Sequence, residues 1–276
     1  MALRIILCGV FILPLLCPLN AQVSYALFGP EALGVSNAHA ASTFTICSDL
    51  PLSVLNGNKW VFQTMYTMPM NLVGLGYYGV FGEYTDKAGQ WGVGSVIQQF
   101  GDPLYYEQGG RFFLAHRLGS AKAGGSFNFW KIGGEQQLTH TVWSLDIQTS
   151  LKVEESLHVS VLLRNLSARK APLWIAQSPG IVLGAAYEAL EKQLEALFSI
   201  QKFLNYPASI HVGLHYQMHQ SVVLRAGYQS YPASFSLGGT FKLGMFEVSY
   251  AHAYRGILPS MHSLGLTLKK LSINRQ

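Results

Sequence analysis

Cysteine is scarce in this sequence: of Cys8, Cys17 and Cys47, only Cys47 lies beyond the first 21 residues. A single remaining cysteine excludes an intrachain disulfide framework, and Cys47 reads as a small buried apolar residue. Charge is scarce too. Asp, Glu, Lys and Arg make up 12% of the chain, about half the usual quarter for a soluble domain. The basic residues Arg164, Arg225, Lys242 and Arg255 are scattered, which excludes a nucleic-acid footprint. No apolar run of about 18 residues follows residue 21, which excludes a transmembrane helix. Gly-x-Ser-x-Gly elbows, phosphate loops and paired metal motifs are absent as well, so no catalytic residue, cofactor or metal is expected.

The start of the chain sets the compartment. Residues 1–21 carry one charge, Arg4, an apolar core from Ile5 to Leu16, a break at Pro18 and the small residue Ala21. That is the pattern of a secretory signal peptide, cut near Ala21. A lipoprotein reading of Cys17 is disfavoured by Leu16, which stands where a lipobox wants a small residue.

Glycine and two-residue alternation are plentiful. Four strands are legible within 208–270. Val212, Leu214, Tyr216 and Met218 alternate with Gly213, His215, Gln217 and His219. Phe235, Leu237, Phe241 and Leu243 alternate with Ser234, Ser236, Thr240 and Lys242. The next two place Phe246, Val248, Tyr250, His252 and Tyr254, then Leu264, Leu266 and Leu268, on one face. Links of one to three residues suit antiparallel hairpins. Upstream, the same rhythm marks strands around Trp60, Tyr77, Trp91, Arg111, Lys122, Trp143 and Leu157. Residues 101–109 read as a longer aromatic loop, and 173–187 as a strand interrupted at Pro179 and Gly180. Residues 189–204 fit a strand or an amphipathic helix, and the neighbouring strands favour the strand.

Few charges, many glycines and aromatics, and alternation without a helical span give the fold: an all-β antiparallel transmembrane barrel of about 14 strands. The barrel occupies 59–271. A soluble β-sandwich is the competing fold, but the polar faces carry mostly Ser, Gly, Thr, Gln and His. Tyr66, Tyr77, Tyr78, Tyr105, Tyr106, Trp130, Trp143, Trp174, Tyr216, Tyr228, Tyr231 and Tyr254 fall near strand ends, as interfacial girdles would. Residues 22–58 lack alternation and are rich in small side chains. They form either a lumen segment, with Gly34, Asn37, His39 and Asn56 as its contact positions, or a periplasmic leader with one short helix.

Two histidine patterns invite chemistry. His211, His215 and His219 share a strand face, but successive members stand about 13 Å apart at about 3.3 Å per residue, too far for one ion. His158 with Ser160, and His219 with Ser221, set an imidazole near a hydroxyl, as in some outer-membrane lipid hydrolases, with no third group assignable.

The stretch Phe28, Gly29, Pro30, Glu31, Ala32, Leu33, Gly34, Val35, Ser36, Asn37, Ala38 resembles the opening of the PorV/PorQ-like barrels of Bacteroidota, relatives of the FadL fatty-acid transporters. Residues 247–254 and 261–268 resemble that family's last hairpin. Two departures stand out: Leu55, Asn56, Gly57 and Asn58 replace the family's Asn-Pro-Ala element, and the chain ends in Arg275 and Gln276 where a terminal aromatic is common. The resemblance implies a 14-stranded barrel with its N-terminal segment in the lumen; a monomer bounded by the lipid of a Gram-negative outer membrane is expected. It implies a conduit or binding barrel for small hydrophobic molecules, or an accessory of type IX secretion, where PorV-like barrels receive secreted substrates, with secretion-system proteins as partners. An outer-membrane hydrolase is the third reading.

Overall fold

The computed structural model describes residues 29–43, 50–55, 60–69, 76–102, 104–134, 137–166, 178–204, 206–256 and 258–270. The expectations for residues 1–21, Cys47, Asn56 and Trp174 lie outside them. The described chain folds as a short helix α1 (Pro30–Gly34), a 3-10 turn (Pro51–Leu55) and fourteen strands. The strands are β1 (Trp60–Met68), β2 (Tyr77–Thr85), β3 (Trp91–Gly101), β4 (Tyr106–Leu118), β5 (Ala121–Gly134), β6 (Gln137–Lys152) and β7 (Leu157–Arg164). They continue with β8 (Gly180–Ala189), β9 (Leu194–Phe203), β10 (Ser209–His219), β11 (Val222–Ser230), β12 (Ala233–Leu243), β13 (Phe246–Arg255) and β14 (Leu258–Lys270). Each pairs antiparallel with its neighbours in sequence, and β1 pairs with β14 from Trp60↔Lys270 to Met68↔His262. The sheet is a closed barrel with no free edge of its own.

The alternation decides which face meets what. On β12, Ser234, Ser236 and Thr240 are buried inside while Phe235, Leu237 and Phe241 point out and are exposed. On β14, Ser263 and Thr267 point in, Leu264 and Leu266 out. Outward Ile97 and Leu237 are each 67% exposed, and they belong to a belt of exposed Phe, Leu, Ile, Val and Tyr carried by every strand pair. A continuous apolar outer wall of this extent is a lipid-facing surface. The barrel spans a membrane.

Several sequence expectations change. The segment 208–270 holds five strands rather than four: β11 escapes the pattern, because Arg225, Gly227 and Gln229 give its inner face no uniform character. The loop expected over 101–109 is only Asp102 to Tyr105, since β3 runs to Gly101 and β4 starts at Tyr106. Residues 190–193 are a turn between β8 and β9, with Leu190, Glu191 and Lys192 all at positive φ, so the expected strand begins at Leu194. Among the expected girdle aromatics, Trp130 and Tyr231 are buried inside the barrel, and Tyr105 donates its hydroxyl to Glu107 Oε1 at 2.6 Å. Tyr78, Trp143 and Tyr254 are exposed on the outer wall.

The termini define one end of the barrel, where β1 begins and β14 ends; its turns are short, as at Gly119–Ser120 and Gly244–Met245. The opposite, distal end carries the longer connections, including the one between β7 and β8. The seam between β6 and β7 has the shortest register of the described seams, from Ile147↔Leu163 to Lys152↔His158. Beyond it, Leu166 N donates to Leu145 O and Asn165 N to Asp146 Oδ1, and the rest of β6 pairs with β5 alone.

Candidate functional site

The lumen is the site, and the N-terminal segment fills its middle. Pro30 opens α1 at its first turn, where a missing N–H matters least. The helix lasts five residues and ends as Ser36 and Asn37 enter left-handed φ of 50° and 63°. That reversal turns the chain across the barrel. All of Pro30–Gly34 is buried, although no core of a conventional kind surrounds it: its partners are inward side chains of strands far apart in sequence.

The head of this plug, residues 29–43, is held chiefly by hydrogen bonds, its apolar contacts being small and divided among three clusters. Gln63 Nε2 of β1 donates to Glu31 Oε1 at 3.0 Å and Oε2 at 3.1 Å. Ser236 Oγ of β12 donates to Gly34 O at 3.2 Å and lies 2.7 Å from Ser36 Oγ. His211 Nδ1 of β10 donates to Ser36 O at 2.7 Å, which fixes its proton on that nitrogen. The carbonyl of Ala40 takes two donors, Gln148 Nε2 at 2.9 Å and Ser160 Oγ at 2.7 Å. Lower down, Glu195 accepts from Ser42 Oγ at 2.7 Å and Thr43 N at 2.9 Å, and Glu188 accepts from Thr43 Oγ1 at 2.8 Å. Between these bonds Val35 presses on Gly213 and Gly227, whose absent side chains leave room for its backbone. A Cβ on Gly227 would collide with the carbonyl carbon of Val35.

The foot, Leu50–Leu55, is held differently. Leu52, Val54 and Leu55 cluster with inward Val61, Met65, Phe81, Val96, Phe113 and Ala115 of β1 to β4. Only its backbone is tied by polar groups. Leu52 N donates to Gln148 Oε1 at 3.1 Å, and Thr85 Oγ1 and Arg117 Nη2 donate to the carbonyls of Val54 and Leu55. Between head and foot lies a cavity of about 20 Å³, lined in part by Thr43, Leu52, Lys122 and Gln148. That holds about one water. A drug-sized ligand needs several hundred Å³, so this cavity does not admit one.

Of the positions picked from sequence, Gly34 ends α1 against Arg225 of β11 and His39 is buried in the plug. Asn37 turns the chain in its left-handed conformation, with its Oδ1 buried and unpaired. Pro179 stands immediately before β8 and Gly180 is that strand's first residue, opposite Arg164 of β7. Asn165 Nδ2 donates to Ser178 O at 3.1 Å, which puts both beside the short β6–β7 seam. His211 and His215 face inward and are buried, whereas His219 is exposed past a register shift. Ser160 Oγ is committed to Ala40, and His158 Nε2 turns to Glu188 Oε1 at 3.6 Å. At the β10–β11 turn the backbone N–H of Ser221, not its hydroxyl, donates to His219 Nδ1. Sequence reasoning missed Glu31, Gln63, Gln148, Ser160, Glu195 and Ser236 as plug anchors; a long polar side chain on an inward strand position was the available signal.

Protein-family models and curated proteins give no match to this sequence. Solved structures do. The chain is similar to the CymD monoaromatic hydrocarbon channel, with a TM-score of 0.70 and 11% identity over 89% of this chain and 98% of that one. It is similar also to the toluene transporter TodX of Pseudomonas putida, with a TM-score of 0.64 and 9% identity over 90% of this chain and 99% of that one. At these identities the likeness is one of fold: a closed antiparallel barrel.

Proposed function

We propose that this chain is an outer-membrane barrel that binds or conducts small hydrophobic molecules. One observation carries the reading: the short β6–β7 seam, a lateral exit beside a lumen that the plug fills. A filled lumen bars a straight aqueous path, so a cargo entering from the distal end must leave sideways into lipid or displace the plug. A hydrophobic molecule gains from the sideways route. The short β6–β7 seam beside Pro179 and Gly180 is the place we assign to it. The fold shared with CymD and TodX supports the same cargo class, and the signal-peptide pattern of 1–21 supports delivery to the outer membrane.

A second reading keeps the PorV/PorQ resemblance of 28–38: an accessory of type IX secretion that offers its rim to other secretion proteins. The plug suits it, because such a barrel needs no open lumen, but the long aromatic rim loop it calls for over 101–109 is short.

Uptake separates the two. Cells making the barrel should take up a small aromatic hydrocarbon faster than cells with an empty vector. The side chains of Ser144 and Asn165 meet across the seam, Oγ to Oδ1 at 3.2 Å. A disulfide introduced there by Ser144→Cys with Asn165→Cys should abolish the gain, and reduction should restore it. Uptake equal to the empty vector would overturn the conduit, and a secretion defect on deletion would then select the accessory.

A further inference from the structure

The outer wall of β13 and β14 carries two imidazoles that the proposed function does not use. His252 and His262 are register partners across the two strands. Their Nδ1 atoms lie 3.3 Å apart and their ring centroids 4.5 Å apart. The hydroxyl of Tyr250, on the same wall, lies 2.7 Å from His262 Nδ1. Around them the outward positions Val248, Tyr254, Leu264 and Leu266 are exposed and apolar. The pair stands near the distal end, where β13 finishes at Arg255.

On a lipid-facing wall each imidazole must share its polar atoms or lose hydration without return. Two Nδ1 atoms turned towards each other, one of them at hydrogen-bond distance from the Tyr250 hydroxyl, can do so in two ways: by hydrogen bonds among the three groups, or by lone pairs that meet a cation. The distance fits the second. Metal–nitrogen bonds of about 2.0 Å at the tetrahedral angle hold two nitrogens about 3.3 Å apart. Two aromatic nitrogens with a phenol oxygen suit a borderline transition ion, whereas calcium and magnesium want oxygen ligands throughout. Among the described residues no third His, Cys, Asp or Glu joins the pair, so the Tyr250 hydroxyl, 2.7 Å from His262 Nδ1, is the third donor within reach and would draw back to bind.

We propose that His252, His262 and Tyr250 form an outward-facing binding site for a divalent first-row transition-metal ion such as Zn²⁺ or Cu²⁺. Occupancy ties β13 to β14 at the distal end. It requires both Nδ1 lone pairs free, with each ring proton on Nε2, so the ion competes with protons for the same lone pairs.

The test uses the full mature barrel, purified in detergent without a polyhistidine tag, stripped with chelator and titrated with Zn²⁺ and with Cu²⁺ by calorimetry. One ion per barrel is expected, with Cu²⁺ the tighter. His252→Phe and His262→Phe should each weaken binding at least about tenfold, and Tyr250→Phe less. All three keep an apolar outer wall, and heat-dependent gel migration verifies that each barrel is folded. Absence of stoichiometric binding by the native barrel would overturn the site. Binding undiminished in the double variant H252F/H262F would overturn it too, placing the ion on another histidine and leaving the pair a simple imidazole hydrogen bond.

Discussion

The head and the foot of the plug are parts of one short segment, yet they adhere to the barrel by different physics. The head binds through directional contacts: Glu31 to Gln63, Ser36 to His211 and Ser236, Ala40 to Gln148 and Ser160. The foot binds by removing Leu52, Val54 and Leu55 from water against an apolar patch of β1 to β4. Hydrogen bonds fix register and orientation but each contributes only about 1 kcal/mol net. Apolar burial is stronger per side chain and indifferent to small rotations. The head is thus a precise but weak fit and the foot a strong but tolerant one. A plug that moves should therefore pivot on its foot.

The largest expected effect breaks the head alone. Gly227→Leu drives a side chain into Val35 C and Ser36 N. It should displace the head and turn a barrel silent in planar bilayers into one that passes ions. Gly239→Leu, facing outward with only Val223 O near its added Cβ at 3.5 Å, should stay silent. A silent Gly227→Leu barrel would mean that the head has room to spare. The foot answers to a different change. Leu55→Ala removes a fully buried side chain and should lower unfolding stability in urea by about 2–5 kcal/mol, with ion conductance unchanged. The smallest effect lies outside both, in the β2–β3 turn. There the Asp86 carboxylate accepts from Gln90 N at 2.6 Å and Trp91 N at 2.9 Å. The Trp91 N–H foremost holds its pKa below the usual carboxylate range. A depressed folded pKa contributes stability above the unfolded value of about 3.9 and loses it as pH falls through the folded one. Asp86→Ala should thus lower the unfolding midpoint slightly at neutral pH, and the gap from the native barrel should close below about pH 4.

Most of the wall was legible because lipid outside and polar groups inside force a period of two on every strand. Ser234 to Lys242 shows it residue by residue. Legibility failed where that contrast fades. Arg225 and Gly227 on β11 answer to the plug rather than to the lumen's general polarity. Leu190 looks like part of a periodic segment, yet it sits in a turn where three consecutive residues take positive φ. Trp130 and Tyr231 belong to the interior although aromatics near strand ends suggest a girdle. The plug's partners were hidden for another reason. Glu31 meets a residue 32 positions away and Ser36 one 200 away, distances that only barrel closure sets.

Closure itself has an order. The β1–β14 seam joins the two ends of the barrel, and such distant pairing forms late. Helix α1 touches both sides of that seam: Pro30 lies under Gly265 of β14, and Glu31 holds Gln63 of β1. The N-terminal segment thus lies where it can align the first and last strands. The piece that fills the finished barrel also bridges the join that closes it.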